Sequence, residues 1–151
     1  GLIGQYAHGN EPSHHITYLF NYVDKPWRTQ ELVSHILEDF YTDQPDGLVG
    51  NEDCGQMSAW YILNSMGFYP VCPGNPVYSI GRPTFDKVTL NLDNGNTFTI
   101  EATDRSDDNP YVQEVLLNGD KVTEPFLSHQ AIMDGGTLTF IMGKDKTVFW
   151  N

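Results

Sequence analysis

The stretch Gly47–Tyr61, which reads GLVGNEDCGQMSAWY, joins a glycine-punctuated loop to the start of an apolar helix. Two adjacent acids, Glu52 and Asp53, stand at the junction. Catalytic and binding groups are often carried by loops on a rigid scaffold, so the junction is a candidate site. Acidic residues also stabilise the positive N-terminal end of a helix, which is a purely structural explanation. Spacing alone leaves both interpretations open.

The composition limits the possible partners. The chain has 151 residues, enough for one ordinary domain or two small ones, and 13% of them are aromatic, which argues against disorder. A net charge of -12 repels phosphate backbones, so no nucleic acid is expected as a partner, whereas cations and neutral sugars are compatible with it. No apolar run is long enough to span a bilayer, so no membrane partner is expected. Cys54 and Cys72 allow one disulfide at most, and the sequence leaves open whether it forms.

Three helices are predicted in the first half. The first begins near Pro12-Ser13 and is expected to bury one apolar face. The second begins near Thr29, and the third runs from about Gly55 to Met66 and is expected to be buried on most sides, with Gly67 as its C-cap. The predicted apolar stripes are Ile16, Leu19, Phe20 and Val23 in the first helix, and Leu32, Val33, Ile36, Leu37 and Phe40 in the second. These faces need more partners than the chain supplies, which indicates another chain or the remainder of a longer protein.

The second half changes to a period of two, which is typical of half-buried strands. A short strand is predicted at 77–80, and alternating runs follow at 88–92, 98–102, 115–117 and 138–142. Asp93-Asn94-Gly95 and Asn118-Gly119 are hairpin signals. We therefore expect an antiparallel all-β module, most simply a sandwich.

Two loops before helices carry the polar groups: 8–15, with sequence HGNEPSHH, and 50–56, with sequence GNEDCGQ. If the helices pack side by side, both loops face one cleft. Adjacent carboxylates raise each other's pKa unless a cation or hydrogen-bond donors compensate, so a calcium ion, a general base acting on water, or plain solvation would each account for Glu52 and Asp53. His14 and His15 point about 100° apart on a helix and cannot both face one small ion.

Several motifs in the right order resemble glycoside hydrolase family 92, the calcium-dependent exo-α-mannosidases. The resemblance rests on Gly9–His15, on Asn21-Tyr22 and Pro26-Trp27, on Asp46–Tyr61, and on Gly67–Pro70. It covers nearly the whole chain and is densest from Gly9 to Pro83. It implies an α+β fold: residues 1–72 as the terminal helices of an (α/α)6 barrel catalytic domain, and residues 73–151 as a β-sandwich module.

The resemblance also implies the chemistry. The family inverts configuration by single displacement, which needs one acid and one base. Asp53 matches the base, and Asn51 stands where a second acid is often found. Glu11, His14, His15 and Glu52 are the implied substrate contacts, and Asn10, Glu11 and Asp53 are the implied calcium ligands. The general acid belongs to a region upstream of this chain, so the chain alone is expected to be inactive.

The implied partners are an α-mannoside glycan and the remainder of the catalytic domain, in a secreted or periplasmic protein. One alternative is a carbohydrate-binding β-sandwich module with a helical prefix. Another is a different (α/α)6 glycosidase or phosphorylase; a phosphorylase would need basic phosphate ligands, and none of the 8 lysines and arginines clusters near the acidic loop.

Overall fold

The computed structural model describes residues 1–151 and combines helices with three β-sheets. The helices are α1 (Pro26–Asp39), α2 (Gln56–Met66) and α3 (His129–Met133), preceded by 3-10 segments at Glu11–Ser13 and Ile16–Val23. The strands are β1 (Leu2–Ile3), β2 (Tyr6–Ala7), β3 (Phe68–Tyr69), β4 (Val77–Ile80), β5 (Lys87–Asn91), β6 (Thr97–Thr103), β7 (Tyr111–Leu117), β8 (Asp120–Lys121), β9 (Phe126–Ser128) and β10 (Gly136–Gly143). None of the helices combines the length and apolar character that crossing a bilayer requires.

The strands form a five-stranded sheet in the order β5-β6-β10-β7-β8, a three-stranded sheet in the order β3-β4-β9, and the ribbon β1-β2. The two predicted hairpins are present, with Gly95 at φ +88° and the Asn118-Gly119 pair at φ +53° and +90°. At Asn118-Gly119, left-handed backbone at both central residues gives a turn twist that matches the flanking strands, which is why Asn-Gly favours it, whereas the first turn uses this conformation at Gly95 alone.

One strand pair contradicts the predicted all-antiparallel module. Strand β10 runs parallel to β6, from Gly136 opposite Phe98 to Ile141 opposite Thr103, and antiparallel to β7 on its other side. Alternation identifies the buried face of a strand but carries no information about the direction of its neighbour. The residues between β6 and β10, which include β7, β8, β9 and α3, form the long connection that a parallel pair requires.

Two hydrophobic clusters fill the interior. The larger one joins both main sheets, since Ile80 and Leu127 of the three-stranded sheet pack with Phe98 and Phe140 of the five-stranded sheet. The smaller one lies among the helices around Tyr18 and Trp60. Strand β3 follows α2 directly and pairs with β4, so chain on both sides of the predicted 72/73 boundary shares one sheet.

The predicted buried face of the first helix is wrong. The segment Ile16–Val23 is a 3-10 helix whose buried residues are Thr17, Tyr18 and Asn21. Three of the four residues of its apolar stripe are exposed instead, since Ile16 is 39% exposed, Leu19 is 49% exposed and Val23 is 59% exposed, while Phe20 is half-buried. Within this chain the polar face packs inward, because the Asn21 amide donates to the Ile80 carbonyl and Thr29 donates to the Thr17 carbonyl.

The other two helices follow their predictions more closely. In α1, Val33, Ile36 and Leu37 are buried as expected. Helix α2 buries Met57 and Trp60 but leaves Ile62 56% exposed, so the expected burial on most sides is wrong within this chain. Gly67 caps α2 in the left-handed region at φ +98°, where a Cβ atom would lie 2.9 Å from the Phe140 ring. Exposed apolar side chains therefore occur on both helices that follow the polar loops.

Helix α1 is fixed to the five-stranded sheet by polar contacts. The buried Gln30 side chain accepts a hydrogen bond from the Val112 amide at 3.0 Å. Glu31 contacts Lys146 at 2.7 Å, Tyr111 at 2.8 Å and Arg28 at 3.0 Å. Burial raises the pKa of Glu31, but the hydrogen bonds from these three groups outweigh it and lower the pKa to about 2.

We expect Glu31→Gln to destabilise the fold by about 1–2 kcal/mol at neutral pH, a figure reduced for the solvent exposure of its basic partners. Because the pKa of folded Glu31 lies below its ordinary 4.5, its contribution is complete above about pH 4.5 and declines as the pH falls toward 2. Urea unfolding at several pH values should show the wild-type advantage shrinking below about pH 4.5.

The matched control is Glu101→Gln, which breaks the exposed Lys87–Glu101 cross-strand pair at 2.8 Å. Its effect should stay within about 0.5 kcal/mol. Equal effects of the two substitutions would show that Glu31 does not fix α1 to the sheet.

Candidate active site

A close backbone contact joins the two polar loops. A Cβ atom at Gly9 would lie 2.5 Å from the Val49 carbonyl oxygen, so only glycine permits this approach. The second loop then turns through left-handed backbone at Asp53 (φ +53°), Cys54 (φ +57°) and Gly55 (φ +98°). Consecutive non-glycine residues in this region carry strain, and such strain is concentrated at functional sites. The predicted meeting of the two loops is therefore present in the structure.

The two loops place the carboxyl groups of Glu11 and Asp53 in hydrogen-bonding contact. This hydrogen bond is the largest cause that raises the pKa of Asp53, and burial and repulsion from Glu11 and Glu52 add to it. The pKa of Glu11 is lowered, first by its own backbone amide and then by Asp53. No lysine or arginine acts on either group. His14 acts on both acids and lowers the pKa of each.

Glu52 points elsewhere. Its carboxylate accepts hydrogen bonds from the Ser58 amide at 3.1 Å and from the Ser58 hydroxyl at 2.9 Å. It therefore binds the open N-terminal turn of α2, as the structural explanation of the acidic pair proposed. The two adjacent acids thus have different roles: Glu52 stabilises the helix, and Asp53 faces the other loop.

A buried histidine, His8, supports the loops from below. The Tyr41 hydroxyl donates to the Met57 carbonyl at 3.2 Å, so it must accept from His8 Nε2 at 2.6 Å. His8 Nδ1 then accepts from the Tyr6 hydroxyl at 2.8 Å. Burial, with repulsion from His14, lowers the pKa of His8 to about 3. The ring is therefore neutral and held in one tautomer.

The tautomer of His14 also follows from its hydrogen bonds. Its Nε2 donates to the His8 carbonyl at 2.9 Å, so its Nδ1 accepts from the Gln56 amide at 3.0 Å. The Gln56 amide also donates to the Tyr69 hydroxyl at 2.9 Å. Burial lowers the pKa of His14. Both ring nitrogens are used within the protein, and the residue is only 2% exposed, so a substrate contact would have to displace one of these bonds.

These groups line an open cleft of about 450 Å³. Its polar lining consists of Glu11, His14, His15, Gln56 and Tyr69. Of the other predicted site residues, Asn10 and Asn51 are exposed and lie on the same two loops. Of the predicted residues, the structure thus places Glu11, His14 and His15 in the cleft lining, whereas Asn10, Asn51, Glu52 and Asp53 lie on the same two loops outside it. The individual roles of all of them stay predictions. Gln56 and Tyr69 were not predicted, because a helical glutamine and a core-type tyrosine carry no sequence signal of a cleft.

The cysteines and the metal ligands can also be placed. Cys54 and Cys72 are both free and exposed. No three His, Cys, Asp or Glu residues of this chain lie close enough to hold one metal ion. The calcium ligands implied by the sequence, Asn10, Glu11 and Asp53, therefore stay a prediction. Their hard oxygen atoms are of the kind that calcium prefers, and no lysine or arginine acts on the two acids.

Comparisons with known proteins agree on one family. The profile of the glycosyl hydrolase family 92 catalytic domain matches residues 1–144. An uncharacterised secreted glycosidase of Arthroderma benhamiae is 32% identical over 142 residues, which are 92% of this chain and 18% of that protein.

Two solved structures from Bacteroides thetaiotaomicron are similar throughout. A family GH92 α-mannosidase in complex with mannoimidazole has a TM-score of 0.91 and 44% identity, over 97% of this chain and 19% of that one. A family GH92 inverting mannosidase has a TM-score of 0.85 and 46% identity, over 94% of this chain and 19% of that one. This chain spans about one fifth of the length of these relatives.

The different roles of the two adjacent acids predict opposite effects on stability. We expect Glu52→Ala to lower the stability by about 1 kcal/mol, because it leaves the first turn of α2 without its acceptor. Asp53→Asn removes the repulsion with Glu11 and should leave the thermal unfolding midpoint unchanged or raised. Thermal unfolding of both variants at neutral pH measures this. Equal destabilisation by both would contradict the division of roles.

Proposed function

The chain belongs to glycosyl hydrolase family 92, and from that premise we propose that the full-length protein containing it is an exo-acting α-mannosidase that removes α-linked mannose from glycans. The observation that carries this proposal is the polar cleft lined by Glu11, His14 and His15, at the place where the approach of Gly9 to Val49 joins the two loops. The mannoside substrate is supported by the relative that binds mannoimidazole.

In the proposed architecture, residues 1–72 are the last helices of an (α/α)6 barrel and residues 73–151 form a β-sandwich module. The exposed apolar side chains of Leu19, Val23 and Ile62 support the first part, because a barrel would cover them with further helices. The second part is supported by the hydrophobic cluster that the two main sheets share. The remainder of the catalytic domain is thus the expected partner of the helical face.

In the proposed mechanism, Asp53 is the general base of an inverting hydrolysis. Its carboxylate takes a proton from a water molecule that attacks the anomeric carbon, while an acid outside this chain protonates the leaving oxygen. Asn51 carries an amide in place of a second acid, and an amide can orient the water. The sequence predicts Glu11, His14, His15 and Glu52 as substrate contacts. Because His14 and Glu52 use their polar atoms in hydrogen bonds within the protein, we propose Glu11 and His15 as the direct contacts among these four.

Calcium is the proposed cofactor, with Asn10, Glu11 and Asp53 as its ligands from this chain. The carboxyl oxygens of Glu11 and Asp53 fit such an ion, because a cation would offset the repulsion from Glu11 that helps to raise the pKa of Asp53. Ligands outside this chain would complete the coordination. When bound, the ion would hold sugar hydroxyls and neutralise the clustered acids.

A carbohydrate-binding module with a helical prefix is less well supported, because the family profile runs without interruption through both the helices and the sheets. A secreted or periplasmic location is proposed from the secreted glycosidase relative alone.

The full-length protein should hydrolyse α-mannosides, and the isolated 151-residue chain should not, because its general acid lies elsewhere. EDTA should abolish the activity, and added calcium should restore it. Release of mannose, followed by NMR to identify the first-formed anomer, tests both the activity and the inversion. Turnover by the isolated chain, or full activity in EDTA, would contradict the proposal.

Two neighbouring substitutions provide the control for this assay. Asp53→Asn should lower kcat by roughly 10²- to 10⁴-fold as expected for loss of a general base, whereas Ser58→Ala, which touches only the helix-binding side of Glu52, should retain kcat. An Asp53→Asn enzyme with normal kcat would place the base elsewhere.

The barrel proposal makes a separate prediction about stability. Leu19→Ser should destabilise the full-length protein by about 2 kcal/mol or more, because a partner helix would bury this side chain. Lys25→Ala, at an exposed position just beyond the same helix, should have an effect within about 0.5 kcal/mol. Denaturant unfolding of the two variants measures the difference. A neutral Leu19→Ser would show that this apolar stripe stays in solvent.

A further inference from the structure

The cleft contains two polar groups with hydrogen-bonding capacity that the protein does not use. The Tyr69 hydroxyl accepts from the Gln56 amide, but its own proton has no acceptor within the chain. The Gln56 side-chain oxygen accepts no hydrogen bond within the chain, because both contacts of this side chain are made by its nitrogen. Both residues line the cleft beside Glu11.

The orientation of Gln56 follows from its neighbours. His14 Nε2 faces the His8 carbonyl and must carry the proton, so His14 Nδ1 is an acceptor. Only the nitrogen of the Gln56 amide can donate to it at 3.0 Å. The oxygen of the amide is thereby the atom left without a protein partner.

The position of Tyr69 is equally fixed. Its ring packs 6.0 Å from the Tyr18 ring and 6.2 Å from the Trp60 ring, measured between centroids. Only 7% of the residue is exposed, so the hydroxyl has little freedom to rotate away from the cleft. A rigid aromatic side chain with a free O–H at the wall of a cleft loses little entropy when it binds a ligand.

We propose that Tyr69 and Gln56, and not the ring of His14, make the polar contacts to the sugar at this wall of the cleft. This inference rests on the proposed function, which supplies the class of ligand, a pyranoside with adjacent free hydroxyl groups. The Tyr69 O–H donates to one hydroxyl oxygen, and the Gln56 oxygen accepts from the same or the neighbouring hydroxyl. His14 is a positioning residue that holds the Gln56 amide in this orientation.

The test compares three variants of the full-length protein. Tyr69→Phe removes only the hydroxyl, and Gln56→Met removes both amide atoms at similar volume. Tyr61→Phe is the control, since its ring lies on α2 beside a different cavity. The affinity for mannoimidazole is measured by calorimetry, and kcat and KM are measured on an α-mannoside, with thermal unfolding as a check on folding.

Loss of one neutral hydrogen bond should weaken binding of mannoimidazole by about 5- to 10-fold in Tyr69→Phe and in Gln56→Met. Tyr61→Phe should bind as the wild type does. If Gln56→Met unfolds, Tyr69→Phe decides alone, because it preserves the ring packing. Wild-type affinity of a folded Tyr69→Phe protein overturns the inference.

A second measurement identifies the hydroxyl. Mannose derivatives that lack one ring hydroxyl should lose affinity for the wild type, and for one of these derivatives the loss should vanish in Tyr69→Phe. Equal losses in the wild type and the variant for every derivative would contradict a direct contact. Failure of the wild-type protein to hydrolyse or bind any α-mannoside would instead refute the proposed function, so the two failures are distinguishable.

Discussion

The approach of Gly9 to the Val49 carbonyl is the contact on which the site depends. A Cβ atom at position 9 would lie 2.5 Å from that oxygen, so any other residue would separate the two loops. Separation would move Glu11 away from Asp53, because Glu11 lies only a few residues after Gly9 and Asp53 only a few residues after Val49. Beneath the contact, the His8 ring packs against Trp60 with centroids 4.4 Å apart. The backbone contact between Gly9 and Val49 and the packing of His8 on Trp60 thus hold the two acids together.

The electrostatics of the site follow from this arrangement. Burial lowers the pKa of His8 and of His14, and the hydrogen bonds of both rings are those of neutral imidazoles. His14 nevertheless lowers the pKa of Glu11 and of Asp53, whereas no lysine or arginine acts on either acid. A surface that keeps its histidines neutral beside paired acids is suited to a cation or to a proton donor, and poorly suited to a phosphate.

Features set by local periodicity could be predicted from the sequence, and those set by distant partners could not. Helix α1 and both Asn-Gly hairpins follow from spacing and turn chemistry, which act over a few residues. The parallel pairing of β10 with β6 depends on a long connection that alternation does not describe. The motifs located the two loops, but the tautomer of His14 and the unused oxygen of Gln56 follow only from three-dimensional contacts.

The wrong prediction that Leu19 is buried and the incomplete set of site residues have one cause: both depend on a partner surface that this chain does not supply. The apolar spacing of Leu19 predicted burial, yet Thr17 and Asn21 face the interior of this chain instead. Exposing an apolar stripe to water costs free energy, so an exposed stripe at helical spacing indicates a partner surface. The exposed residue Ile62 lies on α2, directly after the Asp53 loop, and Leu19 lies on the helix after the Glu11 loop. Any partner that covers these side chains packs against both elements that carry the acids, and it can therefore bring its own catalytic groups to the same cleft.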